Sequence, residues 1–478
     1  MAKQRFFLRL GLFSIVVAFI LWGTPQMGSE TSRVFRNFTS RESPASYRER
    51  MDIAVRLQVL KNLLDERYPQ THWTTGRAFN APALDRLTAC TLEGNCGPGE
   101  GTVVILGSYH FGNSRAGHVS GEDIWAYSTM TAFEALNYTL LYAYGAMDAL
   151  QIYQQIPDLV PVVILEGDAL AGCVKRNAET ASETDSNDAP GTWQAPDRIG
   201  CVKRPGFEEG IPVWKLFAFH FWPGPNSALG GNWTLSPEDY GSWMPNKGNY
   251  YLGYSIEDKC RQIPFQEQRE HRALILAKNP EMLAGKDFAW GGLLEGAAKS
   301  VPKSRDGKEF TLVSTAGKSV QQGGPVELPE PGVISMGSMP QKKWWNEVAK
   351  SKAMLGVGKP YLSPSPYDAM CFGVPFINVI FHRDEAEPEN KAKWWTMHDA
   401  LLPLDPPYVY HVKQHEEAEL REALAAAAST PIGRFIPPWM TLEAVKDRHR
   451  ELVERDWRSL AEVVVAEQFP DGSSPFLL

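Results

Sequence analysis

Apolar residues in this chain fall into short continuous runs separated by longer stretches with helical spacing. Residues 101–109 and 160–166 are runs with the length and β-branched content of buried strands. Between them, S-G-E-D from Ser120 forms a capping box, and the apolar pattern after it predicts one long helix to about Tyr144. A loop over residues 110–118 joins the first strand to this helix. Strand, loop, helix and strand in this order predict an α/β fold with a parallel sheet and crossover helices.

The rest of the chain repeats this pattern after an irregular segment, residues 205–250, that is dense in Trp, Pro and Gly. Apolar runs predict strands at residues 250–256, 310–315, 332–337, 353–358 and 375–380, and helical spacing predicts helices at residues 47–67, 344–351, 366–372, 416–428 and 441–466. Two α/β halves of similar size predict two Rossmann-like domains that face each other across a cleft. We place an N-terminal domain at residues 46–245, a C-terminal domain at residues 246–430 and a helical tail at residues 431–478.

The N-terminus predicts a membrane anchor. Residues 6–22 are apolar except for Arg9 and Ser14, and at about 1.5 Å per helical residue they span roughly 25 Å, enough for a thin bilayer. The basic residues of segment 1–5 favour a cytosolic tail, and residues 23–45 would form a stem. The pattern predicts a single-pass type II membrane protein of the early secretory pathway, with a cleaved signal peptide as the alternative.

Six cysteines agree with a lumenal chain, because an even number can form three disulfides in an oxidising compartment. Local pairing predicts the disulfides Cys90–Cys96 and Cys173–Cys201, and the second pair flanks a polar insertion. No Cys/His spacing suggests a zinc site. The sequons are at Asn37, Asn137 and Asn232, and the predicted helix would bury Asn137.

Composition and charge exclude several classes of function. Lys and Arg number 48 against 56 Asp and Glu, and no basic block stands out, so a nucleic-acid partner is not expected. The sequence has neither a G-x-G-x-x-G fingerprint nor a P-loop lysine motif, which argues against NAD- and ATP-dependent enzymes, and no cofactor is predicted. The 15 tryptophans suit pockets that hold sugars, although they would equally fill an aromatic core.

The segment from Gly356 to Asn378 carries the densest chemistry. A predicted strand ends in G-V-G, a proline-stiffened loop follows, and a short helix begins with Ser365 as its N-cap and Asp368 as the acidic partner of a capping box. The free N–H groups of such a helix start predict a cradle for a diphosphate that requires no metal ion. Asp368 would either bind a ribose hydroxyl or only cap the helix.

This segment resembles the donor-binding region of the α-mannoside β-1,6-N-acetylglucosaminyltransferases of glycosyltransferase family 18. The likeness rests on Gly356, Gly358, Pro360, Tyr361, Pro364, Pro366, Asp368, Ala369, Gly373 and Asn378, and continues at residues 117–125, 251–257 and 404–412. It implies a GT-B fold and an inverting, metal-independent transfer of N-acetylglucosamine from UDP-N-acetylglucosamine to a mannoside of an N-glycan-like acceptor. It also implies a Golgi membrane protein whose catalytic domain is lumenal.

The resemblance assigns roles to individual residues. Glu122 takes the position of the family's catalytic base in the N-terminal half. On the donor side, the binding residues would be Gly356, Gly358, Pro360, Tyr361, Ser363, Ser365, Asp368 and Asn378. His110 and His118 are alternative bases, and E-G-D at residues 166–168 is the alternative that would bring in a metal ion.

The sequence departs from the family pattern at three donor-side positions. It has Asp368 where the family has Glu, Leu362 where the family has an acid, and Ile380 where the family has Lys. Lys318 and Lys359 are the cations that could substitute at the diphosphate. These changes keep one alternative open, a related transferase with another nucleotide sugar. A second alternative, a non-catalytic glycan-binding relative, would be favoured if Glu122 were buried in a salt bridge away from the cleft.

Overall fold

The apolar runs around Leu106 and Ile164 form neighbouring parallel strands in which these two residues are opposite each other. The structure is a computed structural model that describes residues 44–67, 77–174, 200–244, 248–318 and 324–478. Its N-terminal sheet contains β1 (Val103–Gly107), β2 (Thr139–Tyr142), β3 (Val162–Glu166), β4 (Leu216–Phe219), β5 (Thr234–Ser236) and β6 (Tyr250–Tyr251). The strand order is β2-β1-β3-β4-β5-β6, and all neighbours are parallel.

The C-terminal sheet has seven strands: β7 (Arg272–Leu276), β8 (Thr311–Ser314), β9 (Val333–Ser335), β10 (Ala353–Gly356), β11 (Phe376–His382), β12 (Trp395–Thr396) and β13 (Val409–Lys413). Its order is β12-β11-β10-β7-β8-β9, and β13 also pairs with β11. Every pairing is parallel except that of β11 with β12. The prediction of an α/β fold with parallel sheets is therefore confirmed.

Helices connect the strands and bury the apolar face that their spacing predicts. In the first helix, for example, Leu57, Leu60 and Leu64 are buried. The helices are α1 (Pro44–Arg67), α2 (Arg77–Glu93), α3 (Tyr109–Arg115), α4 (Gly121–Ala135), α5 (Ala146–Gln155), α6 (Gly167–Val174), α7 (Glu257–Arg261), α8 (Leu294–Ser300), α9 (Gln341–Ala349), α10 (Ser365–Cys371), α11 (Glu417–Ser429), α12 (Leu442–Glu454) and α13 (Trp457–Gln468).

The long helix predicted from Ser120 to Tyr144 is wrong in its second half. Helix α4 ends at Ala135, and the rest of the apolar run forms β2, whose four residues are buried against β1. Asn137 has a φ of 60°, a left-handed conformation that asparagine tolerates, and it lies in the turn between the two elements. Burial in a sheet outweighed the helical pattern here. Asn137 is exposed in this turn, so its predicted burial is also wrong.

Three further element predictions need correction. The predicted loop after β1 contains α3, because Ser108 caps a helix by accepting a hydrogen bond from the N–H of His110. The segment predicted to be irregular contains β4 and β5, which are too short for periodicity to reveal. The last predicted helix is two helices, since the chain leaves α12 at Arg455 and Asp456 caps α13.

All six cysteines form disulfides. The bonds Cys90–Cys96 and Cys173–Cys201 confirm the predicted local pairing. The third bond, Cys260–Cys371, joins α7 to the end of α10 across 111 residues of sequence. It therefore ties the segment that follows the N-terminal sheet to the helix after β10.

Both sheets belong to one compact unit, which begins at residue 55. The domain boundaries at residues 245 and 430 stay predictions. Within the part of the chain that the structure describes, no helix combines the length and apolarity needed to cross a bilayer. The predicted anchor, the cytosolic tail and the sequon at Asn37 lie outside the described residues.

Candidate active site

Helix α4 presents Glu122 in its first turn. Ser120 Oγ accepts a hydrogen bond from the N–H of Asp123 (3.1 Å), and Asp123 Oδ2 accepts one from the N–H of Ser120 (3.0 Å). This reciprocal pair confirms the predicted capping box and fixes the start of the helix. Glu122 is half-buried, and no hydrogen bond or ion pair joins its carboxylate to a described residue. The carboxylate is therefore available at a helix end that favours negative charge.

The carboxyl ends of β1, β3 and β4 carry polar side chains close to Glu122. Ser108, which follows β1, donates a hydrogen bond to Glu166 at the end of β3. Burial raises the pKa of Glu166, its hydrogen bond from Ser108 lowers it, and the charges of Asp168 and Glu122 raise it again. Burial lowers the pKa of His220, which follows β4, and the charge of Asp168 raises it. Glu122 thus borders a mainly acidic cluster at the edge of the N-terminal sheet.

The two histidines that were alternative bases lie in different surroundings. His110 is buried, and its Nδ1 lies 2.8 Å from Oδ1 of Asp123 in the α4 capping box. His118 is exposed in the loop before α4. His110 therefore supports the helix that carries Glu122. Glu122 is the candidate base whose carboxylate has no hydrogen bond or ion pair with a described residue.

The acidic motif at residues 166–168 lacks the geometry of a preformed metal site. Among the described residues, one group of three ligand-type side chains has its ligand atoms within 4.8 Å of one another, namely Cys90, Cys96 and Glu100. The two cysteines of that group form a disulfide, so their sulfurs are not thiolate ligands. The carboxyls of E-G-D do not converge with a third ligand in this part of the chain.

The loop after β10 follows a path that its sequence restricts. Gly358 has a φ of 108°, and a Cβ atom there would overlap the carbonyl oxygen of Asp287, so glycine is required. Leu362 has a φ of 50°, and its N–H donates to the carbonyl of Met397 at 3.1 Å. A bulky residue in this conformation stores strain of the kind that concentrates at binding sites. Lys359, a proposed substitute cation, forms an ion pair with Asp287 at 2.7 Å.

Other predicted donor residues lie along the same loop. Gly356 ends β10, and its carbonyl accepts a hydrogen bond from Nε1 of the buried Trp290 at 2.7 Å. Pro360 and Tyr361 are half-buried, and the ring of Tyr361 lies 5.6 Å from that of Phe381 on β11. This side of the loop is therefore anchored to the sheet by aromatic packing.

Helix α10 begins one residue earlier than predicted. Pro364 occupies the N-cap position, Ser365 is the first helical residue, and no side chain caps this end. The N–H of Ser365 donates to Ser363 Oγ at 3.3 Å, and the N–H groups of Tyr367 and Asp368 donate to the Pro364 carbonyl at 3.0 and 3.3 Å. The predicted capping box is therefore wrong, because Pro364 precedes the helix. The N–H groups expected to cradle a diphosphate already have partners in the protein.

Asp368 and Asn378 lie within the C-terminal half rather than at its surface. Asp368 is 4% exposed, and Nε1 of Trp345 donates to its Oδ2 at 3.0 Å. Burial raises the pKa of Asp368 to about 7, while the Trp345 hydrogen bond and the charge of Lys259 lower it. Asn378 is fully buried, and its Nδ2 donates to the carbonyl of His398 at 3.3 Å. Both residues support the loop from inside, and their contact with a donor stays a prediction.

The start of α4 meets the start of α10. A Cβ atom at Gly121 would lie 3.3 Å from the ring of Phe221 and 3.8 Å from Cδ of Pro364. Gly121 directly precedes Glu122, and Pro364 directly precedes Ser365. The structure therefore brings the candidate base, carried by the N-terminal half, beside the candidate donor loop of the C-terminal half.

Sequence reasoning missed Glu238, a buried carboxyl in the same region. Glu238 is 1% exposed and accepts hydrogen bonds from the hydroxyls of Tyr254 (3.2 Å) and Tyr367 (3.2 Å). Burial raises the pKa of Glu238 to about 8, although the two tyrosine hydrogen bonds and the charge of Arg448 lower it. Because Tyr367 lies on α10, Glu238 links the end of the N-terminal sheet to the donor loop. An acidic residue just after a strand would have signalled it, had β5 been predicted.

Comparison with known proteins identifies the sequence family. Residues 220–457 match the profile of Glycosyltransferase family 18. The human alpha-1,6-mannosylglycoprotein 6-beta-N-acetylglucosaminyltransferase B is 23% identical over 262 residues, and its mouse counterpart is 21% identical over 259 residues. Each alignment covers 52% of this chain and 31% of the relative, so the matched segment spans about a third of these longer proteins.

Solved structures of glycosyltransferases align with much of the chain. AviGT4, a glycosyltransferase involved in avilamycin A biosynthesis, has 12% identity and a TM-score of 0.37, with 76% of this chain and 98% of AviGT4 covered. An O-GlcNAc transferase of Thermobaculum terrenum has 9% identity and a TM-score of 0.35, with 77% and 67% covered. Both scores are below 0.5, so the family profile, and not these structures, identifies the chain.

Proposed function

Because the chain belongs to glycosyltransferase family 18 through residues 220–457, we propose that it is an inverting glycosyltransferase of GT-B type. Its donor would be UDP-N-acetylglucosamine, and its acceptor a mannoside of an N-glycan-like chain. The N-terminal half would bind the acceptor and the C-terminal half the nucleotide. We further propose that the protein acts in the Golgi lumen, anchored by residues 6–22. This location accords with three disulfides, which require an oxidising compartment.

The proposed reaction is a single displacement at the anomeric carbon. Glu122 accepts the proton of the attacking acceptor hydroxyl, whose oxygen forms the new bond while the bond to UDP breaks. UDP leaves with the bonding electron pair on the opposite face, toward the loop that ends at Pro364. The protein's main contribution would be to hold the two substrates in line, since each enters from a different half.

One observation carries this proposal, the contact between the starts of α4 and α10. A Cβ atom at Gly121 would lie 3.8 Å from Cδ of Pro364, so the first turn of α4, which carries Glu122, is close to the loop that the family resemblance assigns to the donor. Glu122 also has no ion pair with a described residue, which counts against the alternative of a non-catalytic relative whose glutamate is locked in a salt bridge. A base must be ionised and accessible, and Glu122 meets the second requirement by geometry.

For the donor sugar, the structure offers a specific alternative to UDP-N-acetylglucosamine. Ile380, which replaces the family's lysine, is buried in β11, and Leu362 has a strained backbone in the loop. The alternative is that these two differences reshape the donor pocket so that it takes a different nucleotide sugar. Incubating the protein with a mannoside and a panel of nucleotide sugars distinguishes the two, and UDP-N-acetylglucosamine is expected to give the highest kcat/KM.

Transfer is expected to persist in excess EDTA. No three carboxylates of the described residues converge closely enough to hold a metal ion, and the sequence has no D-x-D motif, so the reaction should not depend on a divalent cation. The measurement is the initial rate with and without chelator, and again after addition of manganese. Activity that EDTA abolishes and manganese restores would contradict this and make Glu166 and Asp168 candidate ligands.

Replacing Asp368 by asparagine is expected to weaken UDP affinity by about 10–100-fold while kcat changes little. A carboxylate that accepts a ribose hydroxyl contributes about 1.5–3 kcal/mol, which the neutral amide largely loses. Trp345→Phe is the matched control, because it removes the observed hydrogen bond to Asp368 and leaves the carboxyl in place. Calorimetric titration with UDP measures the affinity of each variant. Equal losses of affinity and of Tm in both variants would show that Asp368 only supports the helix.

A further inference from the structure

The N-x-T sequons that begin at Asn137 and Asn232 lie at the same edge of the N-terminal sheet. Thr139, the last residue of the first sequon, is the first residue of β2, and Thr234, the last residue of the second, is the first residue of β5. All neighbouring strands from β2 to β5 are parallel, so their amino ends lie on one side of the sheet. The two sequons therefore share the amino-terminal edge.

Both asparagines are accessible at this edge. Asn137 and Asn232 are exposed, and no hydrogen bond joins either side chain to a described residue. Asn137 borders an open cavity of about 700 Å³ whose walls include Trp214 and Arg450, so there is room for a sugar beside it. Asn232 lies in a short helical turn, Gly231–Trp233, between β4 and β5. A glycan on either asparagine can extend into solvent without displacing a contact between described residues.

The threonines of the two sequons are in the opposite situation, because both are buried. Thr139 Oγ1 donates to the carbonyl of Glu100 at 2.7 Å, and Thr234 Oγ1 accepts a hydrogen bond from the N–H of Asn226 at 2.8 Å. The folded chain thus hides the hydroxyl that an N-glycosylation sequon requires, and a glycan would have to be added before this edge folds. The fold explains both threonines by itself, so the distinguishing feature is the exposure of the asparagines.

This edge is opposite the candidate active site. Ser108, Glu166 and His220 lie at the carboxyl ends of β1, β3 and β4, where Glu122 borders them. Strands β1 to β3 have four or five residues, which separates the two edges of the sheet by about 13–17 Å. A modification at the amino-terminal edge therefore leaves the region around Glu122 open to substrates.

We propose that Asn137 and Asn232 carry N-linked glycans, which makes the amino-terminal edge of the N-terminal sheet the glycosylated face of the protein. This inference rests on the lumenal location in the proposed function, because sequons are modified in proteins of the secretory pathway. At each site, Nδ2 of the asparagine forms a bond to the anomeric carbon of an oligosaccharide while the bond from that carbon to a lipid diphosphate breaks. The diphosphate leaves with the bonding electron pair, and Nδ2 releases one proton.

Peptide mapping of the full chain from a eukaryotic secretory host tests the proposal. Enzymatic release of N-glycans converts each modified asparagine to aspartate, and we expect this conversion at both Asn137 and Asn232. Asn137→Gly removes one acceptor amide and tolerates the φ of 60°, Asn232→Gln removes the other, and each variant should lose one glycan. Thr139→Ser is the matched control, because it keeps the sequon and should keep the glycan. No conversion at either position in the chain without substitutions would overturn the proposal.

Two further results separate this inference from the proposed function. If neither asparagine is converted in protein whose disulfides have formed and which transfers the sugar, the inference is wrong and the proposed reaction stands. Glycans at both positions without transfer from any nucleotide sugar would support the inference and contradict the proposed reaction. The double variant Asn137→Gly with Asn232→Gln should keep kcat at matched Tm. A lower kcat would contradict the placement of the glycans away from Glu122.

Discussion

Replacing Glu122 by glutamine is expected to lower kcat by about 10²–10⁴-fold, equivalent to about 3–5 kcal/mol of activation free energy. The amide keeps the size of the side chain but cannot accept the proton of the attacking hydroxyl. Folding should change little, because a first-turn carboxylate contributes about 0.3–1 kcal/mol through the helix dipole and Glu122 bonds to no described residue. UDP affinity, assigned to the other half, should stay the same. Steady-state kinetics at matched Tm measure the effect.

Two companion variants sharpen this result. Glu134→Gln removes an exposed carboxylate from the last turn of the same helix and should leave kcat unchanged. Glu166→Gln tests the nearest alternative, since Glu166 lies at the end of β3 and burial raises its pKa. If kcat falls in Glu166→Gln and stays normal in Glu122→Gln, the base is Glu166 and the assignment of Glu122 is wrong.

The fold was predictable wherever a local pattern matched the final environment. Continuous apolar runs such as residues 103–107 and 353–356 are buried on both faces of a parallel sheet, and their composition shows this directly. The prediction failed at Thr139–Tyr142, because an apolar run after a helix looks like more helix until a neighbouring strand is known. It failed again at β4 and β5, where strands of three or four residues in a Trp-rich segment are too short to show a period.

The candidate site, like the fold, was predictable from the sequence only where a feature is local. The cap of α4 at Ser120 and the need for glycine at position 358 are local properties, and the sequence contains both. The capping box at Asp368 was wrong because Pro364, and not Ser365, precedes the helix. The contact between Gly121 and Pro364 requires two sheets to be positioned relative to each other, which no local motif specifies.

Glu238 illustrates what long-range packing adds. Its hydrogen bond to Tyr367 joins residues 129 positions apart, and neither residue belongs to a motif that suggests the other. The same is true of the cavity that Glu238 lines, whose walls come from four separate segments, at residues 238–243, 251, 391–403 and 439. A sequence can show that polar residues follow the predicted strands. A cavity between two sheets can be seen only in the structure.

The disulfide Cys260–Cys371 also joins residues that are far apart in sequence. Both cysteines are fully buried, and Arg434 Nη1 donates to the carbonyls of Cys260 (3.3 Å) and Cys371 (3.2 Å). The bond closes a segment of 111 residues, which includes β7 to β10 and the donor loop. Because the entropy lost by the unfolded chain grows with loop length, this bond should stabilise the protein most among its three disulfides.

The double replacement Cys260→Ala with Cys371→Ala is expected to lower the free energy of unfolding by about 2–5 kcal/mol. The matched control is Cys90→Ala with Cys96→Ala, which opens a loop with a sequence separation of 6 and removes the same number of sulfur atoms. Loop-length entropy predicts that the first pair costs about 2–3 kcal/mol more than the second. Urea unfolding of both variants measures this difference. Equal destabilisation would show that local packing around each bond, and not closure of the long loop, determines its contribution.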